Sequence, residues 1–548
     1  MDDILKKIIA RREALKTERG SWDATYRELQ HFIMPRRGRF SEGERNKGQN
    51  KNKNIINGAS TIAAGTLSAG LMSTLTNPSR RWFKLQPTMR GLEENLNVSN
   101  WLDTVQDILY DTLRRSNFYT EVNNLYTELG TFGTGVMTYE RNFDTIIHFT
   151  TATVGEYYLA NGGTNYVNTM FRDLQMSVGQ IVERFGYDKV PSDIQRACNK
   201  GTLDTWKTVY HAIEPLKKRN AAGHKFRSTF WMAEGNGSGN QGTLLSVKGF
   251  ADFPAFTPRW DLRPTDIYGR GPGHDALNDA KQLQFQERNK ATGIGMQVRP
   301  PISAPTSLKG QPIANVPGGI VYTDPTGVQG QIGALTNVRP DVNALNQDID
   351  GTVRRINRFY YADLFAAMLN MPDRTYMSAT EASQRFDERL ILLGPVLQRL
   401  NPELLDPVLS TVFKLLLEEK LIPEPPPELK GQPIRVDYVS LLHQAQQAVG
   451  AASIERSTAF ITSLAAADPT VLDIFDADTT ARTYNMEVGA PAKMMRDPEE
   501  VAAKRQQEAE ARAAQQSLSM MQQGAQTAET LAKADMSGQN VLTEMTGG

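Results

Sequence analysis

The sequence contains a single cysteine, Cys198, among 548 residues, so an internal disulfide framework is excluded. It has no net charge: 61 Lys and Arg balance 61 Asp and Glu. A protein that grips DNA statically usually carries a basic excess, because each phosphate it neutralises releases counterions. The balance argues against a tight DNA binder, but not against a surface that DNA slides past, where strong phosphate contacts would act as friction. No apolar leader opens the sequence. MDDILKKIIARRE is charged throughout, which reads as a chain made in a reducing cytoplasm. The nearest approach to a membrane span, Ile55 to Thr76, is uncharged but rich in Ser, Thr, Asn and Gly. It reads as a tightly packed buried helix, with no span expected.

Catalytic constellations are also missing. The six histidines, His31, His148, His211, His224, His274 and His443, are scattered, and none has a second ligand at metal-binding spacing. Cys198 has no neighbouring histidine, and there is no G-x-S-x-G elbow. Gly65 to Thr74 has the two glycines of a phosphate-binding loop, but Leu71 and Met72 stand where Lys and Ser or Thr are needed. Gly269 to Gly273 (GRGPG) opens a helix and could hold an anion on its backbone, yet Pro272 removes one donor. A turn is the preferred reading. No catalytic residue, cofactor site or metal site is expected, and the protein reads as not an enzyme.

What the sequence does contain is a 40% hydrophobic content, sufficient for real cores, and a length that suggests several domains. Ile4, Leu5, Ile8, Ile9 and Leu15 mark one amphipathic helix; past a break at Gly20, Trp22, Tyr26, Leu29 and Ile33 mark a second, ended by Pro35. Residues 36–53 hold seven basic and two acidic residues with three glycines. They form either a solvated loop or a basic arm touching DNA or a partner. A small-residue helix over Asn57–Leu75 stops at Asn77-Pro78, and Asn100–Arg115 is amphipathic through Trp101, Leu102, Val105, Ile108, Leu109 and Leu113. From Gly130 to Met170 the period changes to antiparallel hairpins, with a turn at Asn161-Gly162-Gly163. A short helix over Ser177–Phe185 precedes a second β-rich stretch, Trp206–Pro258, whose loop Glu234–Gly242 is expected to be exposed.

Two long helices follow, from about His274 to Thr292 and from about Asp341 to Leu369, around a proline- and glycine-rich module. Ser378–Lys420 is helical, divided at Gly394-Pro395 and Asn401-Pro402, and Pro423–Pro433 is a stiff linker. A helical region over Tyr438–Met495 precedes an Ala-, Gln- and Glu-rich tail, which is ordered, if at all, by self-association.

Four stretches, in order along the chain, carry a resemblance: LSAGLMSTLTNPSRRWFKL (67–85), PRWDLRPTDIYGRGPGHDALNDA (258–280), PPISAPTSLKGQPIANVPGGIVYTD (300–324) and ATEASQRFDERLILLGPVLQRLNPELLDPVLSTVF (379–413). Together they resemble the portal, or head-to-tail connector, family of short-tailed, podovirus-type double-stranded DNA bacteriophages. The resemblance implies an α+β, mainly helical portal fold with a β-rich wing, a two-helix stem, a small α/β clip, a tunnel loop with a long helix, and a helical crown. On this chain the N-terminal wing would take 1–270, the first stem helix 271–296, the clip 297–340 and the second stem helix 341–365. The tunnel loop would take 366–380, the long wing helix and linker 381–435, the crown 436–497 and the tail or barrel helix 498–548.

Such a protein forms a homo-oligomeric ring of twelve copies at one capsid vertex. The ring is the channel for packaging and ejecting double-stranded DNA, without sequence preference. It docks the terminase large subunit, then the tail adaptor and tube proteins, and it meets the scaffolding and major capsid proteins. The alternatives are another virion structural protein, such as a tail tube or adaptor, or an unrecognised DNA-processing enzyme. Lys281, Arg288 and Lys290 are the channel- or DNA-facing candidates. Lys281 and Arg288, seven apart, share a helix face; they either bear on DNA or pair with Asp279, Glu287 or acids of a neighbouring stem. Met368, Asn370, Met371, Pro372, Asp373 and Arg374 are tunnel-loop candidates, where the methionines either line the channel or simply pack. Arg299, Pro300, Pro301, Lys309, Pro317, Gly318 and Gly319 are clip candidates.

Overall fold

In the computed structural model the N-terminal segment is one helix, α1 (Asp2–Phe32), and Gly20 does not interrupt it. The model describes residues 2–40, 48–49, 51–89, 92, 95–163, 165–216, 223–233, 242–298, 302–303, 333–334, 341–369, 393–438, 441–466, 468–488, 495–496 and 498–532. A lone glycine in a helix interior costs about 1 kcal/mol, and packing on both sides of Gly20 outweighs it. Arg19 donates to the Tyr157 carbonyl at 2.8 Å and to Asp23 at 2.9 Å. Tyr26, Leu29 and Ile33 are fully buried.

The chain divides into two compact units. The first comprises Met1–Lys84, Val105–Pro423 and Val436–Ala445; the second comprises Leu85–Thr104, Glu424–Arg435 and Gln446–Gly548. In the first unit, α2 (Ala59–Leu75) follows α1; the chain continues through β1 (Phe83–Pro87) and α3 (Leu96–Arg115), whose residues are divided between the two units, to α4 (Phe118–Phe132) of the first. The amphipathic reading of α3 holds, with Leu102, Val105, Leu109 and Leu113 buried and Trp101 and Ile108 half-buried. The helix α4 has no counterpart in the sequence reading. It ends where Gly133 turns left-handed at φ 76°.

The expected hairpins are β2 (Val136–Asn142), β3 (Ile146–Ala152), β4 (Tyr157–Asn161) and β5 (Val167–Ser177). Helix α5 (Val178–Phe185) starts with a reciprocal cap between Ser177 and Gln180, and α6 (Ser192–Asn199) follows. The second β-rich stretch supplies β6 (Trp206–Pro215), β7 (Phe226–Ala233), β8 (Gly242–Phe250) and the short β9 (Ala255–Phe256). These strands form an antiparallel five-stranded sheet, β4-β5-β6-β7-β8, and a three-stranded one, β3-β2-β9. Strand alternation sends Trp231 to one face of the larger sheet, where it packs with Leu5, Ile8 and Leu15 of α1. Phe230 and Met232 go to the other face, under Val178, Ile181 and Ile194 of α5 and α6.

Next come α7 (Pro272–Val298), the two-residue strands β10 (Ile302–Ser303) and β11 (Gly333–Ala334), which pair with each other, and α8 (Val342–Phe359). The sequence reading runs a single helix to Leu369. The structure instead breaks it at Tyr360-Tyr361 and begins α9 (Ala362–Leu369), with Tyr361 at φ 53°. The proline pairs divide the following helical stretch as expected, into Gly394–Leu400, a π turn over Asn401–Leu405, and Asp406–Glu418. In the second unit the tail over Pro498–Ala532 is a 35-residue helix, about 50 Å long at the usual rise. Arg505 makes two bonds to Asp478, at 2.6 and 2.8 Å. No helix among the described residues is long and apolar enough to cross a membrane.

Candidate functional site

Helices α7 and α8 pack against each other, and their cross-links fix the direction. Arg355 donates to Asp279 at 2.9 Å, and Gln286 donates to Asp348 at 2.5 Å, so the pair is antiparallel. The 27 residues of α7 span about 40 Å. Ala276, Leu277, Ala280, Leu283 and Gln284 are its buried side; Ile349, Thr352 and Ile356 are the buried side of α8. Gln284 straps the approach to α2 onto this pair. Its Oε1 accepts from the backbone N–H of Ile56 (2.7 Å) and Asn57 (3.0 Å), while its Nε2 donates to the Asn57 carbonyl (2.9 Å).

The candidate cations separate into two groups. Lys281 pairs with Glu28 of α1 at 2.7 Å, a partner the sequence reading did not consider, and Lys290 pairs with Glu287 at 2.7 Å. Burial raises the Glu287 carboxyl, but hydrogen bonds from Lys290 and Asn57 outweigh it and leave the group below its ordinary value. Arg288 is exposed and has no ion pair among the described residues. The sequence reading overlooked Arg354 and Arg358, which are likewise exposed and unpaired among the described residues, four apart on the face of α8 away from Ile349 and Ile356. The row R-R-x-x-R in a helix was the signal for them.

Of the remaining candidates, Met368 lies in α9. Asn370, Met371, Pro372, Asp373 and Arg374 lie outside the described residues, as do Arg299, Pro300, Pro301, Lys309, Pro317, Gly318 and Gly319. Residues 234–241 of the loop expected over Glu234–Gly242, and residues 378–392 of the helix expected from Ser378, lie outside them too.

Part of the basic segment 36–53 is held inside the protein. Arg37 donates to Asn124 at 2.7 Å and lies 3.7 Å from the buried Glu128; Arg39 pairs with Glu156 at 2.5 Å. The Gly38 N–H donates to the Thr153 hydroxyl at 2.7 Å, and the Arg39 N–H donates to the Val154 carbonyl at 2.8 Å. Burial pushes the Glu128 carboxyl up to about 7, against the pull of Arg37 and hydrogen bonds from Thr153 and Val154. Both arginines are thus paired within the chain, with 28% and 38% of their side chains still exposed.

The motifs that suggested chemistry are packing devices. Gly65 to Thr74 lies within α2 and forms no loop. The GRGPG glycines let backbones meet: a Cβ at Gly273 would stand 2.1 Å from the Thr131 carbonyl, and one at Gly271 would stand 2.7 Å from that of Leu129. His211 is buried and stacked on Phe230, centroids 3.8 Å apart. Burial, then the neighbouring Arg172, holds His211 well below its ordinary value, and Arg172 donates to its Nδ1 at 2.9 Å. Burial and Arg270 bring His274 down to about 4. Among the described residues no three metal-ligating side chains gather.

A feature the sequence hid joins the stretch before α7 to the π turn. Arg259 and Glu403, both buried, pair at 2.6 Å, and the Arg259 N–H donates to the same carboxylate at 2.9 Å. Arg259 also donates to the Asn165 carbonyl at 2.9 Å. A cavity of about 310 Å³ adjoins the pair, lined also by Phe253, Asp252 and Lys414, the last two paired with each other.

Residues 5–495 match the family model of the bacteriophage head to tail connecting protein. Two curated relatives align over nearly the whole chain. A probable portal protein of Bordetella phage BPP-1 is 37% identical, over 99% of this chain and 98% of that protein. A portal protein of Salmonella phage epsilon15 is 33% identical, over 98% of this chain and 97% of that protein. A solved neck of an empty gene transfer agent particle is 12% identical over 74% of this chain and 88% of that one. Its TM-score of 0.34 is too low to carry an argument.

Proposed function

Because this chain belongs to the bacteriophage head-to-tail connecting protein family, we propose that twelve copies form a ring at one capsid vertex, enclosing the conduit for DNA. The protein is a portal protein of the virion, structural and not enzymatic. Helices α7 and α8 are the stem, β10 and β11 belong to the clip between them, and the two sheets with α1, α5 and α6 are the wing. The helices after residue 436 are the crown, and the 35-residue tail helix extends it as a barrel of copies.

The observation that carries the ring is the state of the helix pair. One side of it is buried within the chain, while Phe285 on α7 remains 64% exposed. An apolar ring on a long helix, facing away from its own core, fits a neighbouring copy in a heterologous contact that closes on itself. The cations without ion pairs among the described residues, Arg288, Arg354 and Arg358, bear on packaged DNA as a sparse, sequence-independent set. Lys281, already paired with Glu28 of α1, ties the stem to the wing instead, while Lys290 is paired within α7. The clip docks the terminase large subunit during packaging and the tail adaptor and tube proteins afterwards; scaffolding and major capsid proteins meet the outer wing.

Electron microscopy of the purified protein, viewed down the particle axis, tests this reading. Rings of about twelve subunits with an open centre are expected. Monomers both alone and with the phage scaffolding protein, together with no ring at the virion vertex, would overturn it.

A further inference from the structure

We propose that the Tyr360-Tyr361 break is a two-state hinge: α8 and α9 can join into one straight helix, and the seating of Phe365 on Gly70 holds them apart. Nothing local demands the break. The run RINRFYYADLFAAML over 355–369 contains no glycine or proline and continues the helical pattern on both sides. Yet Tyr361 sits in the left-handed region at φ 53°, where a bulky residue is strained. Its neighbour is also poorly placed: Tyr360 is fully buried, and its hydroxyl has no hydrogen-bond partner among the described residues.

What compensates lies beyond the break. Leu364 and Phe365 are buried, and Phe365 rests directly on α2 at Gly70, where a Cβ would stand 2.3 Å from its ring. Tyr361 adds a ring contact with Trp260, centroids 6.3 Å apart. Straightening would relieve the strained backbone and free the orphan hydroxyl, but it would unseat these side chains. The opposing contributions are of similar size, which is the condition for two accessible states. In the straight state α8 and α9 would form one helix over 342–369, and residues 362–369 would swing away from α2. That this movement resets the segment lining the channel rests on the portal arrangement proposed above; the hinge itself does not.

The test is a spin-label distance in the full-length protein. Ala69→Cys and Asp363→Cys, both exposed, are labelled in a Cys198→Ser background and diluted with unlabelled chain. The parent is expected to show one dominant short distance. Gly70→Ala, which fills the seat, should add a longer population, and adding Tyr361→Gly, which removes the backbone strain of the break, should return part of it to the short distance. Phe365→Ala empties the seat without adding bulk and should show the same second population even if Gly70→Ala does not fold. A single unchanged distance in the seat variants that fold, or a second population indifferent to Tyr361→Gly, overturns the hinge. Rings with one distance reject the hinge alone, and two distances without rings reject the portal arrangement alone.

Discussion

Replacing Glu403 by Ala tests whether the Arg259–Glu403 pair fastens the π turn to the stretch before α7. The substitution removes three hydrogen bonds at once: from Nη2 at 2.6 Å, from the backbone N–H at 2.9 Å and from Nε at 3.4 Å. Arg259, 1% exposed, would keep one good acceptor, the Asn165 carbonyl at 2.9 Å. Leaving one member of a buried pair uncompensated costs about 3–5 kcal/mol. The adjoining cavity of about 310 Å³ can admit water to the stranded guanidinium, which favours the lower end, about 3 kcal/mol. Equilibrium unfolding in urea, followed by tryptophan fluorescence, reads the loss, and hydrogen exchange over 394–418 reads it locally. The double variant Arg259→Met, Glu403→Leu should recover most of it, because no charge is then stranded. A loss below about 1 kcal/mol in Glu403→Ala, or a double variant no better than the single, would refute the reasoning.

Two further outcomes follow from other groups. A carboxyl moved from 4.5 to about 7 by burial favours its protonated form in the folded state, so Glu128 contributes stability that is lost as pH rises between those values. The difference in unfolding free energy between the parent and Glu128→Gln should therefore fall by about 3 kcal/mol from pH 4 to pH 8, measured by urea midpoints. A constant difference would mean that Arg37 already holds Glu128 ionised. In the phage, the combined changes Arg288→Glu and Arg354→Glu should reduce packaged DNA several-fold with the ring intact, whereas Lys281→Glu should act mainly on stability, by about 1 kcal/mol or less. Equal packaging by the doubly reversed protein would remove the cations from the channel.

Much of the fold was legible because its elements declare themselves locally. Alternation gave the hairpins, Gly394-Pro395 and Asn401-Pro402 marked the division of a helix, and the apolar stripe of α3 was read residue by residue. The misses share a physical cause: distant contacts override a local signal. Gly20 looks like a stop until Arg19 is seen bonded to Tyr157 on a strand 138 residues away. The α8–α9 break has the opposite character, since only the fit of Phe365 on Gly70, nearly 300 positions earlier, makes it worthwhile. The site was less legible than the fold, because a cation's role depends on its partner. Lys281 and Arg288 share a face, yet Glu28 engages Lys281 while Arg288 has no ion pair among the described residues.

The balanced charge acquires a different meaning once the arginines are placed. Arg12, Arg19, Arg172 and Arg259 are buried, binding Asp173, the Tyr157 carbonyl, His211 and Glu403 respectively. They belong to the interior and present nothing to a phosphate. With Arg37 and Arg39 also engaged, the basic residues available to a polyanion are fewer than the total of 61 implies. On the helix pair they reduce to Arg288, Arg354 and Arg358 among the described residues. Since affinity for duplex DNA grows with each phosphate neutralised, three cations per copy, spread along helices tens of ångströms long, would hold DNA only loosely at any one point of the proposed channel. That weakness suits the proposed conduit, in which phosphates are met often enough to centre the duplex and released easily enough for it to move.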